Sequence, residues 1–207
     1  MGILRKISTL SVIVISISIN SFGQNTALNQ IFSDSYQQEK TGDYSKAIQT
    51  LTAVYEQNSY PINLRLAWLN YSSGNFTKSI SYYSKSIDLM PYSIEARLGI
   101  VYPASAVGNW SLVENTYKKI LEIDSKNYTA NYRLASINYG RKSYKSALYF
   151  LEMIVNLYPF NYETTILYAW TNLQMGKTKE AQLLFNKALL ISPNDVSALE
   201  GLELLKK

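Results

Sequence analysis

Apolar residues recur at helical spacing along most of the chain, and the spacing is clearest between Thr164 and Asp195. Ile166, Leu167, Ala169, Trp170 and Leu173 follow an i, i+3, i+4, i+7 pattern and predict one helix. Gly176-Lys177 interrupts it. Thr178 is expected to cap a second helix with Ala181, Leu184, Phe185, Ala188 and Leu189 on its apolar face, and Pro193-Asn194 to stop it. Two helices this short cannot bury a core by themselves, so the pair must stack on others like it.

The others are present. Ala181, Ala147, Val113 and Ser79 are spaced by 34 residues, and Ala47 lies 32 before Ser79. All are small or modest in size, as a helix–helix contact point requires. The turns that precede them are Gly42-Asp43-Tyr44, Gly74-Asn75-Phe76, Gly108-Asn109-Trp110, Lys142-Ser143-Tyr144 and Gly176-Lys177-Thr178. Glycine adopts positive φ after a helix at little cost. Pro91, Pro159 and Pro193 recur in the same register, with Ser125 at the fourth place. The pattern predicts helices over Leu28–Thr41 and Ser45–Gln57, then Ile62–Ser73 and Thr77–Met90. Ile94–Val107, Ser111–Asp124, Thr129–Arg141 and Tyr144–Tyr158 follow before the last pair. Gln24–Ala27 reads as a short disordered start and Ser59-Tyr60-Pro61 as a break. Val196–Lys206 predicts a capping helix with Leu199, Leu202 and Leu205 inward and Glu200, Glu203 and Lys206 outward. Gly99 and Pro103, four apart in one helix, predict a kink.

These positions resemble the tetratricopeptide repeat family, whose period is 34. The family pattern asks for small residues at repeat positions 8, 20 and 27, a large apolar residue at 24 and Pro at 32. Ala169, Ala181, Ala188, Phe185 and Pro193 supply all five in the fifth repeat, and Ala67, Ser79, Ser86, Tyr83 and Pro91 in the second. The fourth offers Ala135, Ala147, Ile154, Leu151 and Pro159. The third departs most, with Val101, Val113 and Ile120, and the first fits only in its second half. The resemblance implies an all-α fold, a right-handed α-solenoid of helix-turn-helix repeats (about 28–59, 60–93, 94–127, 128–161 and 162–195) closed by a cap at 196–207.

The first residues read as a targeting segment. Arg5 and Lys6 precede an apolar run from Leu10 to Ile19, and Ser21-Phe22-Gly23 offers small residues for cleavage before Gln24. Residues 1–23 are therefore expected to be a signal peptide and 24–207 a single exported domain of the periplasm or cell envelope. The apolar run is short and serine-rich for a membrane span, so no stable span is expected after cleavage. Losing Arg5 and Lys6 takes the formal charge from +5 to +3. The chain has no run of Lys or Arg, which argues against nucleic acid as a partner.

Histidine and cysteine are both absent. That removes the usual general base, the thiolate nucleophile and most transition-metal ligands. Met175-Gly176-Lys177-Thr178 imitates the tail of a phosphate loop, but Thr171 stands where its first Gly belongs and a helix precedes it. No catalytic residue, cofactor or metal is expected, and the chain reads as a non-enzyme. The family resemblance implies that certain first-helix positions line a concave groove. They fall on Phe32, Tyr36, Leu64, Trp68, Tyr71, Leu98, Tyr102, Tyr132, Tyr139, Ile166, Trp170 and Leu173. Few charges fall among these groove positions, Glu39, Lys40, Glu95 and Glu163 being the exceptions. Tyr and Trp combine large contact area with a polar tip, which suits an extended peptide or envelope protein as partner. The same rings would suit a carbohydrate or cell-wall glycan. Trp68, Tyr102 and Trp170 share one repeat position and are expected to face one concavity.

Overall fold

The computed structural model describes residues 26–206, so the expected signal peptide and its cleavage point lie outside the described residues. Every regular element among the described residues is a helix. They divide into two compact units, one running through Val107 and the other starting at Gly108.

The first unit contains α1 (26–40), α2 (Tyr44–Thr52), α3 (Tyr60–Ser72), α4 (Phe76–Leu89) and α5 (Ile94–Ala106). Each of α2 to α4 packs on the next helix in sequence, and α3 also touches α5. Ala47, Leu51, Ile62, Leu66 and Leu69 form one buried cluster, with Leu28, Ile31 and Phe32 of α1 packed against it. That anchorage draws residues 26 and 27 into helix, where a disordered start is expected from sequence. Ser79, at the repeat's small-residue contact, is fully buried, and its hydroxyl donates to the Ala67 carbonyl at 2.7 Å.

The second unit contains α6 (Trp110–Ile123), α7 (Tyr128–Gly140), α8 (Tyr144–Val155), α9 (Tyr162–Gln174), α10 (Thr178–Ile191) and α11 (Val196–Leu204). Successive helices again pack in sequence order, and α9 touches both α7 and α11. Val113, Ala147 and Ala181 are buried here as Ala47 and Ser79 are in the first unit. The turn glycines have positive φ, 73° at Gly176, and Lys142 takes φ 61° in the one turn that lacks glycine.

Several boundaries differ from the sequence reading. Tyr60 and Pro61 are not a break but the first turn of α3, where the missing proline N–H has no helical partner to lose. α2 ends at Thr52 rather than Gln57, and α8 at Val155 rather than Tyr158. Beyond Val155 the Leu157 and Tyr158 amides both donate to the Ile154 carbonyl, a tight turn that leads into Pro159. Lys177, not Thr178, holds the N-cap of α10, with no side-chain cap bond, because the Gly176 turn delivers the chain one residue earlier.

α5 remains one helix across Pro103. Gly99 has a packing reason: a methyl group there would lie 2.2 Å from the Tyr83 ring. The same arrangement recurs at the end of the chain, where Gly201 admits the ring of Phe185. This corrects the inward face of α11. Ala198 and Gly201 are its buried residues, Leu202 and Leu205 pack on the core, and Leu199 is 45% exposed. The bulk of the Phe185 ring admits only small residues at the centre of the contact, which rotates Leu199 outward. Val196 and Leu204 are exposed as well, so the open side of α11 is more apolar than a polar-backed cap.

Candidate functional site

In the first unit α1, α3 and α5 line an open groove of about 860 Å³. Phe32, Tyr36, Leu64, Trp68, Leu98 and Tyr102 all border it. Tyr71 stands behind them with its ring 5.8 Å from Trp68 and 5.6 Å from Tyr102. All seven groove positions implied in this unit are therefore brought together. Helical geometry explains the gathering. Positions 5 and 9 are one turn apart on a first helix, so each helix contributes two adjacent side chains to one face. Tyr36, Trp68 and Tyr102 are exposed by 55, 40 and 55%.

The groove also contains Arg65 and Tyr60, which the repeat positions did not single out, beside Glu39 and Glu95, which they did. Arg65 is buried, with side-chain exposure of 6%, and its Nη1 is 2.5 Å from Glu39 Oε2. Its Nε donates to Ser35 Oγ at 3.2 Å, and its guanidinium lies 3.8 Å from the centre of the Tyr36 ring. Nη2 has no hydrogen-bond partner. The other oxygen of Glu39 accepts from the Trp68 indole at 2.5 Å, which fixes that ring. Across the groove Tyr60 donates to Glu95 Oε2 at 3.2 Å and shares a 2.8 Å hydrogen bond with Ser93 Oγ. Burial raises the Tyr60 and Tyr83 hydroxyl pKa values, with smaller contributions from neighbours that include Glu95. Both stay neutral donors at ordinary pH. Arg65 and Glu39 are 26 residues apart, and the only sequence signal was an Arg among apolar first-helix neighbours.

The second unit treats its implied groove residues differently. Ile166, Trp170 and Leu173 pack against the cluster of Ala169, Ala181, Phe185, Ala188 and Ala198. The Trp170 indole donates to Ser197 Oγ at 2.8 Å, and its ring meets Phe185 edge-on at 5.1 Å. Tyr132 stacks on Tyr128 at 5.9 Å, and Tyr139 meets Tyr144 edge-on at 5.5 Å. These side chains are half-buried and engaged with neighbours in their own unit. The concavity expected to unite Trp68, Tyr102 and Trp170 draws its residues from both units; only Trp68 and Tyr102 share the groove described above.

The tetratricopeptide repeat family profile matches residues 60–92 and 163–195, one repeat in each unit. A tetratricopeptide repeat-containing protein, YpiA of Bacillus subtilis, is 28% identical over 168 residues. Subunit 7 of the anaphase-promoting complex of Arabidopsis thaliana is 24% identical over 194 residues. The matches take in 78 and 91% of this chain but only 39 and 34% of those proteins, so the chain spans well under half of each. Among solved structures, a tetratricopeptide repeat protein from Parabacteroides merdae superposes with a TM-score of 0.72 at 17% identity, covering 87% of this chain and 72% of that one. The protein MamA gives 0.68 at 17% identity, covering 80 and 91%. At such identities the structures establish the all-α repeat fold and nothing more.

Proposed function

Because this chain is a tetratricopeptide repeat protein, we propose that it is a protein-interaction scaffold whose first unit binds an extended peptide segment of a partner protein. The observation that carries the proposal is the convergence of Phe32, Tyr36, Leu64, Trp68, Leu98 and Tyr102 on one open groove. The helices that present them are already packed, so the ordering cost of association falls mainly on the peptide. Trp68 is held by Glu39 yet remains 40% exposed, as a rigid interface anchor should be. The reaction is noncovalent binding, with no catalytic step.

We propose in addition that the protein is exported from the cytoplasm. The charged, apolar and small-residue order of 1–23 supports export, with a partner in the periplasm or cell envelope. No helix among the described residues is long and apolar enough to cross a membrane. The intact mass of the protein from the native envelope fraction tests export, and a chain that still carries residues 1–23 would refute cleavage.

Binding is tested by selecting a displayed library of random nonapeptides on the full chain and measuring the enriched peptides by calorimetry. Trp68→Ala and Tyr102→Ala should each weaken binding by about 2 kcal/mol, roughly thirtyfold. Lys78→Ala, on α4 outside the groove, should not change it. If no peptide is enriched, or if both groove variants bind normally, the peptide reading fails. Binding to a glycan array in place of peptides would assign the rings to a carbohydrate instead.

A further inference from the structure

Three charged side chains line the groove of the first unit: Arg65, Glu39 and Glu95. Two of them neutralise each other through the contact between Arg65 Nη1 and Glu39 Oε2. Glu95 is exposed and makes no ion pair among the described residues. Among the described residues its carboxylate accepts a hydrogen bond from the Tyr60 hydroxyl and pairs with no cation, and the Trp68 and Tyr102 side chains border the same groove. A carboxylate beside electron-rich ring faces attracts a cation and repels an anion.

Arg65 supplies the second requirement. Its side chain is 94% buried, the complement of its 6% exposure, and Nη2 has no partner. A buried N–H without an acceptor is unfavourable, so a ligand that brings one gains by it. The acceptor should be uncharged, because Glu39 already balances the guanidinium. A ligand carboxylate would be the third beside Glu39 and Glu95 in one groove, where like charges repel. The Tyr36 ring lies over the guanidinium at 3.8 Å and is 55% exposed, so its outward side faces the open groove and a ligand that reaches Nη2 must displace it. A main-chain carbonyl meets the requirement, and an extended peptide presents one beside every side chain.

We propose that the first unit's groove is selective for basic peptides, with a main-chain carbonyl on Arg65 Nη2 beneath a displaced Tyr36 and a Lys or Arg side chain between Glu95 and the aromatic wall. This rests on the peptide reading of the groove and gives it a charge preference. It predicts that acidic segments are rejected even when their apolar residues match.

The nonapeptide selection tests both levels. Lys and Arg should be enriched over Asp and Glu at one position of the selected peptides. Replacing that residue by Glu should abolish measurable binding. Glu95→Gln should weaken the basic peptide by about fivefold, the weight of one partly exposed ion pair, and should flatten its salt dependence. Arg65→Lys keeps the charge but replaces the guanidinium, so that Nη2 is lost together with the Nε bond to Ser35. It should weaken basic peptides and their neutral analogues alike, with the thermal midpoint measured alongside. If Arg65→Lys unfolds the protein, Glu95→Gln and the salt dependence still decide the outcome. Enrichment of acidic peptides overturns the proposal, as does equal binding of basic peptides by Glu95→Gln and wild type. If the selected peptides are sensitive to Trp68→Ala but indifferent to charge, the charge preference fails and the groove stands. If nothing is selected, or if binding ignores Trp68, both fail.

Discussion

Replacing Gly99 by Ala puts a methyl group where the structure has placed an aromatic ring. The added carbon would lie 2.2 Å from Tyr83 Cε1, 2.5 Å from Cζ and 2.9 Å from Cδ1. Carbon atoms in contact normally sit about 3.5–4.0 Å apart. The ring must therefore retreat by more than an ångström, yet Tyr83 is only 4% exposed and packs between α4 and α5. Overpacking of this kind costs about 1–3 kcal/mol. Against it, Ala in a helix interior gains about 0.5–1 kcal/mol over Gly. The net expectation is a loss centred on about 1 kcal/mol and at most about 2.5 kcal/mol, and at this chain length each kcal/mol lowers the melting temperature by about 2–4 °C. Thermal unfolding followed by circular dichroism gives the comparison. Gly140→Ala is the control, because a methyl group at the end of α7 meets nothing within 4 Å and φ is not positive. It should be neutral or stabilising, opposite in sign to Gly99→Ala. Tyr83→Leu in the Gly99→Ala background should restore part of the loss. Leu151 and Leu167 occupy the equivalent positions two repeats further along the chain. The reasoning is refuted if Gly99→Ala is as stable as wild type. It is also refuted if the two substitutions add within about 0.5 kcal/mol, as unconnected sites do.

Ala147 is fully buried at the small-residue contact of its repeat, so Ala147→Phe should destabilise by about 1–3 kcal/mol or more, read as a lower urea midpoint. Lys142 sits at φ 61° in the turn that lacks glycine, so Lys142→Gly should stabilise the protein by up to about 1 kcal/mol, read as a higher urea midpoint. Alkaline pH should unfold the protein. Burial raises the pKa of Tyr60, Tyr83, Tyr132 and Tyr139, so above about pH 10 the unfolded chain holds fewer protons and stability falls as pH rises. Urea midpoints measured between pH 8 and pH 11 should fall, and Tyr83→Phe should flatten the fall.

The sequence alone determined the repeat. Ala47, Ser79, Val113, Ala147 and Ala181 are legible because a helix that packs closely must present a small residue once per pair, and all five are buried. The turns were legible for a related reason: a reversal with positive φ favours glycine, and Lys142 takes up the same conformation once the flanking helices impose it. Periodicity also assembled the first unit's groove, since equal positions on α1, α3 and α5 point the same way. What the tertiary structure alone decided was each position's neighbours. Trp68 and Trp170 share a repeat position, yet Trp68 stands in an open groove beside Glu39 while Trp170 bonds Ser197 and meets Phe185. The inward face of α11 follows from the bulk of Phe185, which selects Gly201 and turns Leu199 outward. Arg65 and Glu39 meet only because α1 and α3 pack side by side, and no local pattern joins residues that far apart. Period reports which face of a helix is apolar. Contact depends on the side chains that the next helix brings to that face, and only the packed chain fixes those.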